Sequence, residues 1–234
     1  NKQLTLSCSF ETKEKEVFTN SWRIWIFPKA DEKKTDILES DELTEELLKQ
    51  VANGKKLLLS PKEERIRAAE KIHYFPVFWS PVHFKSKDNC GLMVHNEHAL
   101  FQHFPSLDYA DYQWKDLVTN AFSVPFTTLS EDFEPIVQAV PNFFNHKKMF
   151  ALAEFNYGKG KIMLCSLNIQ DESLVNKSFK QALLNYMASN EFVPNYELSS
   201  KELKTILYST EEFSEKVDFA RKARVFADSQ RSES

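Results

Sequence analysis

Six histidines, three cysteines and 34 acidic residues set what this 234-residue chain could do by metal, thiol or acid–base chemistry. His95, His98 and His103 lie close together. A zinc site on a helix wants i, i+4 spacing with a third ligand, whereas His95-x-x-His98 falls across an expected strand-to-helix turn. They read as surface and loop histidines, and neither a metal nor a cofactor is expected. Cys8, Cys90 and Cys165 are odd in number and widely spaced without a CxxC pair, against both a disulfide framework and a zinc knuckle. A thiol nucleophile needs an electropositive, exposed setting such as a glycine-flanked elbow. Cys165 instead sits inside the apolar run 162–167, and Cys90 precedes a single glycine in a polar loop.

Glycoside hydrolysis needs two carboxylates about 5 to 9.5 Å apart in distinct environments. Most acids here lie in solvated charge runs, and only Glu154 and Asp116 are flanked on both sides by apolar or aromatic residues. Sequence alone does not pair them. Asp171, Glu172 and Ser173 follow a strand end, where α/β folds often place ligand contacts, but capping of the next helix accounts for them better. What remains is aromatic. Trp79, Tyr112 and Trp114, with Phe78 and His83, sit in proline-broken or loop-like stretches rather than on a clean amphipathic face. Such rings are platforms for sugars, or they fill a core or a contact with a neighbouring domain.

Composition narrows the classes further. Lys and Arg total 30 against 34 acids, a net charge of −4, which gives no basic face for nucleic acid. Only four glycines occur, where average usage predicts roughly sixteen, while phenylalanine contributes 20 residues. Phosphate-cradling glycine loops are therefore nearly excluded, and a large aromatic core or surface is expected. No apolar run approaches the roughly 20 residues of a membrane helix. The start at Asn1, with no basic segment followed by an apolar one, is the pattern of a mature product or a part of something longer.

The elements that must position these residues follow from periodicity. Residues 4–10 (LTLSCSF) and 18–27 (FTNSWRIWIF) alternate and read as strands, with Pro28 ending the second and a boundary near residue 30. A helix follows, capped by Ser40 or Asp41, with Leu43, Leu47, Leu48 and Val51 on one face and Asn53-Gly54 as its stop. Residues 55–60 then form a short buried strand, the signature of an αβ unit in a parallel or mixed sheet. Residues 62–71 are helix-compatible, and the two prolines in 74–84 forbid a regular helix there. Short strands are expected at 92–95 and 135–140, a short helix at 98–104, and a hairpin of 149–157 with 161–169 about Gly158-Lys159-Gly160. Residues 174–187 make an amphipathic helix with Phe179, Leu183, Leu184 and Met187 toward the core. Helix starts are expected at Ser199 with Glu202 and at Thr210, and Arg221, Lys222 and Arg224 suit a helix end.

The segments FPVFWSPVHF (75–84), GLMVHNEHALFQHFPS (91–106) leading into DYQWKDLV (111–118), and YGKGKIMLCSLNI (157–169) running toward LLNYMAS (183–189) together resemble the C-terminal region of bacterial glycoside hydrolase family 2 proteins, the β-galactosidase-like group. NSWRIWIFP (20–28) resembles the strand that joins the preceding β-sandwich to that region. The resemblance covers most of residues 1–192.

It implies a three-layer α/β sandwich of the flavodoxin-like or class I glutamine-amidotransferase-like type. A mixed, mostly parallel central sheet is preceded by one or two strands of an adjoining sandwich. The implied domains are a β lead-in over 1–30 and the α/β body over 31–195, while residues 196–234 have no counterpart in the resemblance and read, from their helix starts, as a helical C-terminal extension. It further implies a periplasmic or secreted bacterial parent whose acid and nucleophile belong to a TIM barrel earlier in the chain, so no catalytic residue carries over. The amidotransferase Gly-x-Cys-x-Gly elbow is absent. The leading expectation is a non-catalytic ancillary domain packing on the sandwich and barrel, or on another subunit, with Phe78, Trp79, His83, Tyr112 and Trp114 as its contact residues. The alternatives are a carbohydrate-binding module using those aromatics, and a stand-alone α/β hydrolase.

Overall fold

The computed structural model describes residues 1–28, 35–73, 89, 91–141 and 146–208. The alternating N-terminal segments pair as expected. Strands β1 (Lys2–Glu11) and β2 (Val17–Ile26) form an antiparallel hairpin registered from Lys2↔Ile26 to Glu11↔Val17. Lys15 at φ 62° closes its turn, donating its N–H to the Thr12 carbonyl at 3.0 Å. Because paired residues share a face, Leu4, Leu6 and Phe10 lie beside Ile24, Trp22 and Phe18 on one side of this two-stranded sheet.

The body begins with β3 (Leu38–Ser40), helix α1 (Glu45–Ala52) and β4 (Lys56–Leu59). The cap of α1 is Thr44, whose Oγ1 accepts from the Leu47 N–H at 3.2 Å, and not Ser40 or Asp41. Ser40 is drawn into the end of β3, and its hydroxyl donates to the Glu42 carbonyl at 2.7 Å. At the other end, the tip of the β9–β10 hairpin meets the last turn of α1, with β9 running Met149–Tyr157 and β10 Gly160–Cys165. A Cβ on Gly160 would lie 2.1 Å from the Val51 carbonyl oxygen and 2.3 Å from that of Lys55, so no side chain fits there. Gly158 is left-handed at φ 61°, and a Cβ there would lie 3.0 Å from the Ala52 backbone, a closer approach than side chains ordinarily make. The scarce glycines are thus spent largely at one helix-to-hairpin contact.

Residues 62–71 do not form the helix their composition permits. They hold a 3₁₀ turn (Glu63–Arg65), a left-handed Ala68 and the short strand β5 (Glu70–Lys71). Their backbone groups are taken by the chain's later segment: the Arg67 N–H donates to the Ile206 carbonyl and the Tyr208 N–H to that of Arg65, both at 2.8 Å. Beyond come β6 (Leu92–Val94), a 3₁₀ turn (Ala99–Gln102), a second one (Tyr112–Trp114) running into helix α2 (Lys115–Val118), then β7 (Phe122–Pro125) and β8 (Val137–Ala139). Helix α3 (Leu174–Ala188) is capped by Ser173, and α4 (Ser200–Ile206) carries the expected capping box of Ser199 and Glu202.

The main sheet runs β3-β4-β10-β9-β7-β5, with β8 also on β9 and β6 on β8. It is a mixed sheet, as expected, but not a mostly parallel one. Among the strands only β3/β4 and β4/β10 pair in parallel, while every other described strand pair is antiparallel. The α1 crossover supplies the parallel end. The tight glycine hairpin, which can only reverse the chain, supplies the antiparallel centre.

Side chains alternate into two cores. Leu58, Met163 and Leu152 pack with Phe179, Leu183 and Trp114, whereas Leu57, Ile162 and Phe155 pack with Val51, Leu203 and Ile206. Both faces of the sheet are covered. The described part of the expected extension packs on this body: Leu203 and Ile206 of α4 are buried, Ile66 bridges Leu207, and the Asn156 N–H donates to the Tyr196 carbonyl at 2.8 Å. The helix start expected at Thr210 and the basic residues 221–224 lie outside the described residues.

Candidate functional site

Of the aromatic contact set, Phe78, Trp79 and His83 lie outside the described residues. The remaining two part company. In the 3₁₀ turn, positions two apart point in different directions. Tyr112 is 64% exposed, with the Lys115 Nζ 5.7 Å from its ring centroid. Trp114 is fully buried, edge-on to Phe104 and Phe179, and its indole N–H donates to Ser106 Oγ at 3.0 Å. That corrects its reading as a contact residue. An indole whose ring fills the core and whose polar tip is satisfied internally offers no face to a sugar or another domain.

The residues considered one by one for chemistry are partly brought together. Glu154 is the one residue between Met149 and Phe155 of β9 that is not buried outright. His98 caps the 3₁₀ turn after β6, its Nδ1 accepting from the Leu100 N–H at 3.3 Å. That contact assigns the ring proton to Nε2, which lies 3.4 Å from the Tyr186 hydroxyl and 3.6 Å from Glu154 Oε1. Tyr186, on the inner face of α3, donates to Glu154 Oε2 at 2.8 Å. Burial, reinforced by the Glu154 charge, pushes the Tyr186 phenol far above its ordinary pKa, so it stays protonated. The three groups form a directed chain from His98 Nε2–H through the Tyr186 hydroxyl to the Glu154 carboxylate. They border a cleft of about 330 Å³ whose other walls include His95, Glu134, Glu191, Val193 and Tyr196.

His103 and Asp116 do not line this cleft, so neither the three-histidine cluster nor a Glu154–Asp116 pair is assembled. Among the described residues no group of three His, Cys, Asp or Glu side chains is placed to hold a metal. Cys165 is completely buried, and burial pushes its thiol up to about 12, which removes it as a nucleophile. Ser173 caps α3 by accepting from the Asn176 N–H at 3.2 Å, and Asp171 accepts from the Ser173 N–H at 3.1 Å, so this group serves the helix start. Sequence reasoning gave Tyr186 no role. The available signal was a tyrosine on the buried face of an amphipathic helix, whose hydroxyl must find a partner.

A second feature stands apart from the cleft. The apolar face of the β1–β2 hairpin is uncovered, with Phe10 63%, Phe18 59% and Trp22 49% exposed. The hairpin is tied to the body at its base and on its opposite face. Phe27 stacks on Phe104 at 5.5 Å, the Asn1 side-chain amide donates to the His103 carbonyl at 2.7 Å, and Arg23 binds Asp111 and the Tyr109 hydroxyl, both at 2.7 Å.

No curated protein matches the chain. One family model does, over residues 38–208, and its description is a domain of unknown function, DUF8487. The match opens at β3 and closes just after α4, leaving the β1–β2 hairpin outside it. Because it covers well over half of the sequence, the chain belongs to the DUF8487 family.

Proposed function

We propose that this chain is a non-catalytic ancillary α/β module of a larger, β-galactosidase-like protein, in which it packs against an adjoining β-sandwich through the β1–β2 hairpin. The observation that carries this reading is the hairpin itself. A two-stranded sheet is marginal in water on its own, and its apolar face holds Leu6, Phe10, Phe18, Trp22, Ile24 and Ile26 against solvent. A contiguous apolar patch of this kind is the mark of an interaction surface. Its extended outer edges fit further strands of a sheet, which makes the occupant a β-sandwich with its own apolar inner face.

The family match excludes the hairpin from the domain, which agrees with strands lent to a neighbour. The resemblance of residues 20–28, 75–84, 91–106, 111–118, 157–169 and 183–189 to glycoside hydrolase family 2 proteins favours a neighbouring β-sandwich with a TIM barrel beyond it. The same resemblance favours a three-layer, flavodoxin-like or amidotransferase-like body, in keeping with a sheet whose two faces both carry a core. A sugar-binding platform is the weaker reading, since Trp114 is spent in the core and Tyr112 is the one ring of its described set that reaches solvent.

Two measurements test the proposal. The chain is expected to leave nitrophenyl β-galactoside unhydrolysed, and turnover at enzyme-like rates would end the non-catalytic reading. In the parent protein, Trp22→Asp puts an unpaired charge in the middle of the apolar face and should weaken association with the sandwich at least about tenfold. Unchanged association would reject the interface.

A further inference from the structure

We propose that the cleft at His98, Glu154 and Tyr186 is a binding site for a small organic cation bearing a primary ammonium group. The argument starts from hydrogen-bond valence. At the floor, the His98 Nε2–H and the Tyr186 O–H are both directed along the internal chain, which ends on Glu154 Oε2. Glu154 Oε1, 3.6 Å from its nearest nitrogen, keeps unspent acceptor capacity on a side chain only 12% exposed. An open acceptor on a side chain this far buried favours a ligand that brings donors.

Charge and shape point the same way. The lining adds the acidic residues Asp132, Glu134 and Glu191, and among the described residues neither lysine nor arginine lines the cleft. An anion is repelled. A neutral polyol needs donors and acceptors in comparable number, whereas four acidic residues in the lining stand against the imidazole of His95 and the amide of Asn195. A bare metal ion lacks the three-ligand geometry among the described residues. An alkylammonium brings three N–H donors and a stem that can lie against Val193 and the ring of Tyr196, where a cation–π contact adds to the attraction.

The test is calorimetric titration of the full chain with putrescine and glucosamine, with glucose as the neutral counterpart of glucosamine and Mg²⁺ as the inorganic control. Putrescine and glucosamine are expected to bind saturably, with glucose at least about tenfold weaker. Glu154→Gln keeps an acceptor for Tyr186 but removes the charge, and should cost at least about tenfold in amine affinity. Should that variant fold poorly, the double variant Glu134→Gln/Glu191→Gln alters only exposed wall residues and should still weaken amines several-fold while leaving glucose unaffected. The proposal is overturned by no amine binding up to about 10 mM, by glucose matching glucosamine, by Mg²⁺ binding in place of the amines, or by amine affinity indifferent to these substitutions. None of these outcomes bears on the hairpin interface.

Discussion

The protein contains two hairpins of the same kind that meet opposite fates. β1–β2 and β9–β10 are both antiparallel and both rich in apolar residues. In β9–β10, Phe155 and Ile162 pack under α1 and α4, while Leu152 and Met163 pack under α3. In β1–β2, the equivalent apolar side chains face solvent. Periodicity is thus a statement about what a strand needs, and whether the need is met within the chain depends on the helices laid over it. The hairpin is the part of the fold whose apolar face the described body leaves uncovered.

That contrast predicts graded costs of substitution. Phe179→Ala or Phe155→Ala, each removing a fully buried ring, should destabilise the chain by about 3–5 kcal/mol in denaturant unfolding. A loss below about 1 kcal/mol would mean that the body is loosely packed. Gly160→Ala should come next, at about 1–3 kcal/mol or more, because the clashing atoms are backbone carbonyls that do not move aside. Ser199→Ala, which removes the capping box of α4, should cost about 1 kcal/mol and loosen the Ile66–Leu207 bridge, visible as faster amide exchange there.

Glu202 supplies a smaller, pH-dependent effect. Hydrogen bonds from Ser199 and Tyr196 hold its carboxyl below the ordinary value of 4.5. Its contribution is therefore present above that pH and fades as pH falls through the folded value. Since the group is only partly buried and screened by solvent, Glu202→Gln should flatten the acid limb of the stability curve by only a few tenths of a kcal/mol. At the far end of the scale, Phe18→Ser on the hairpin should change the stability of the isolated chain by no more than about 0.5 kcal/mol. A core-sized loss there would place the hairpin on a footing with β9–β10.

Much of the architecture was legible beforehand where the chain itself repeats. The alternation of 2–11 and 17–26, the glycine turn at 158–160, the amphipathic stretch 174–188 and the Ser199–Glu202 box each encode a local structure that long-range contacts left intact. Residues 62–71 were misread because helix propensity is a weak local preference. Hydrogen bonds to Ile206 and from Tyr208, more than a hundred residues away, outweighed it. The balance of parallel and antiparallel strands was misread because a buried strand looks alike in both settings.

The site was legible only in fragments. Glu154 stood out by its apolar flanks and His98 by its neighbours, but nothing in the sequence joined them through Tyr186, which a helix 32 residues downstream of Glu154 brings within 2.8 Å. Trp114 was misplaced for the converse reason. A loop-like neighbourhood suggested exposure, and the 3₁₀ turn rotated the ring into the core.

The most direct test of the account is native-state hydrogen exchange on the chain by itself. If the hairpin depends on a neighbouring sandwich, the amides of β1 and β2 should open with free energies near zero and exchange orders of magnitude faster than those of β9 and β10, which should approach the global limit. Protection of β1 and β2 equal to that of β9 and β10 would contradict it, showing a hairpin that needs no partner.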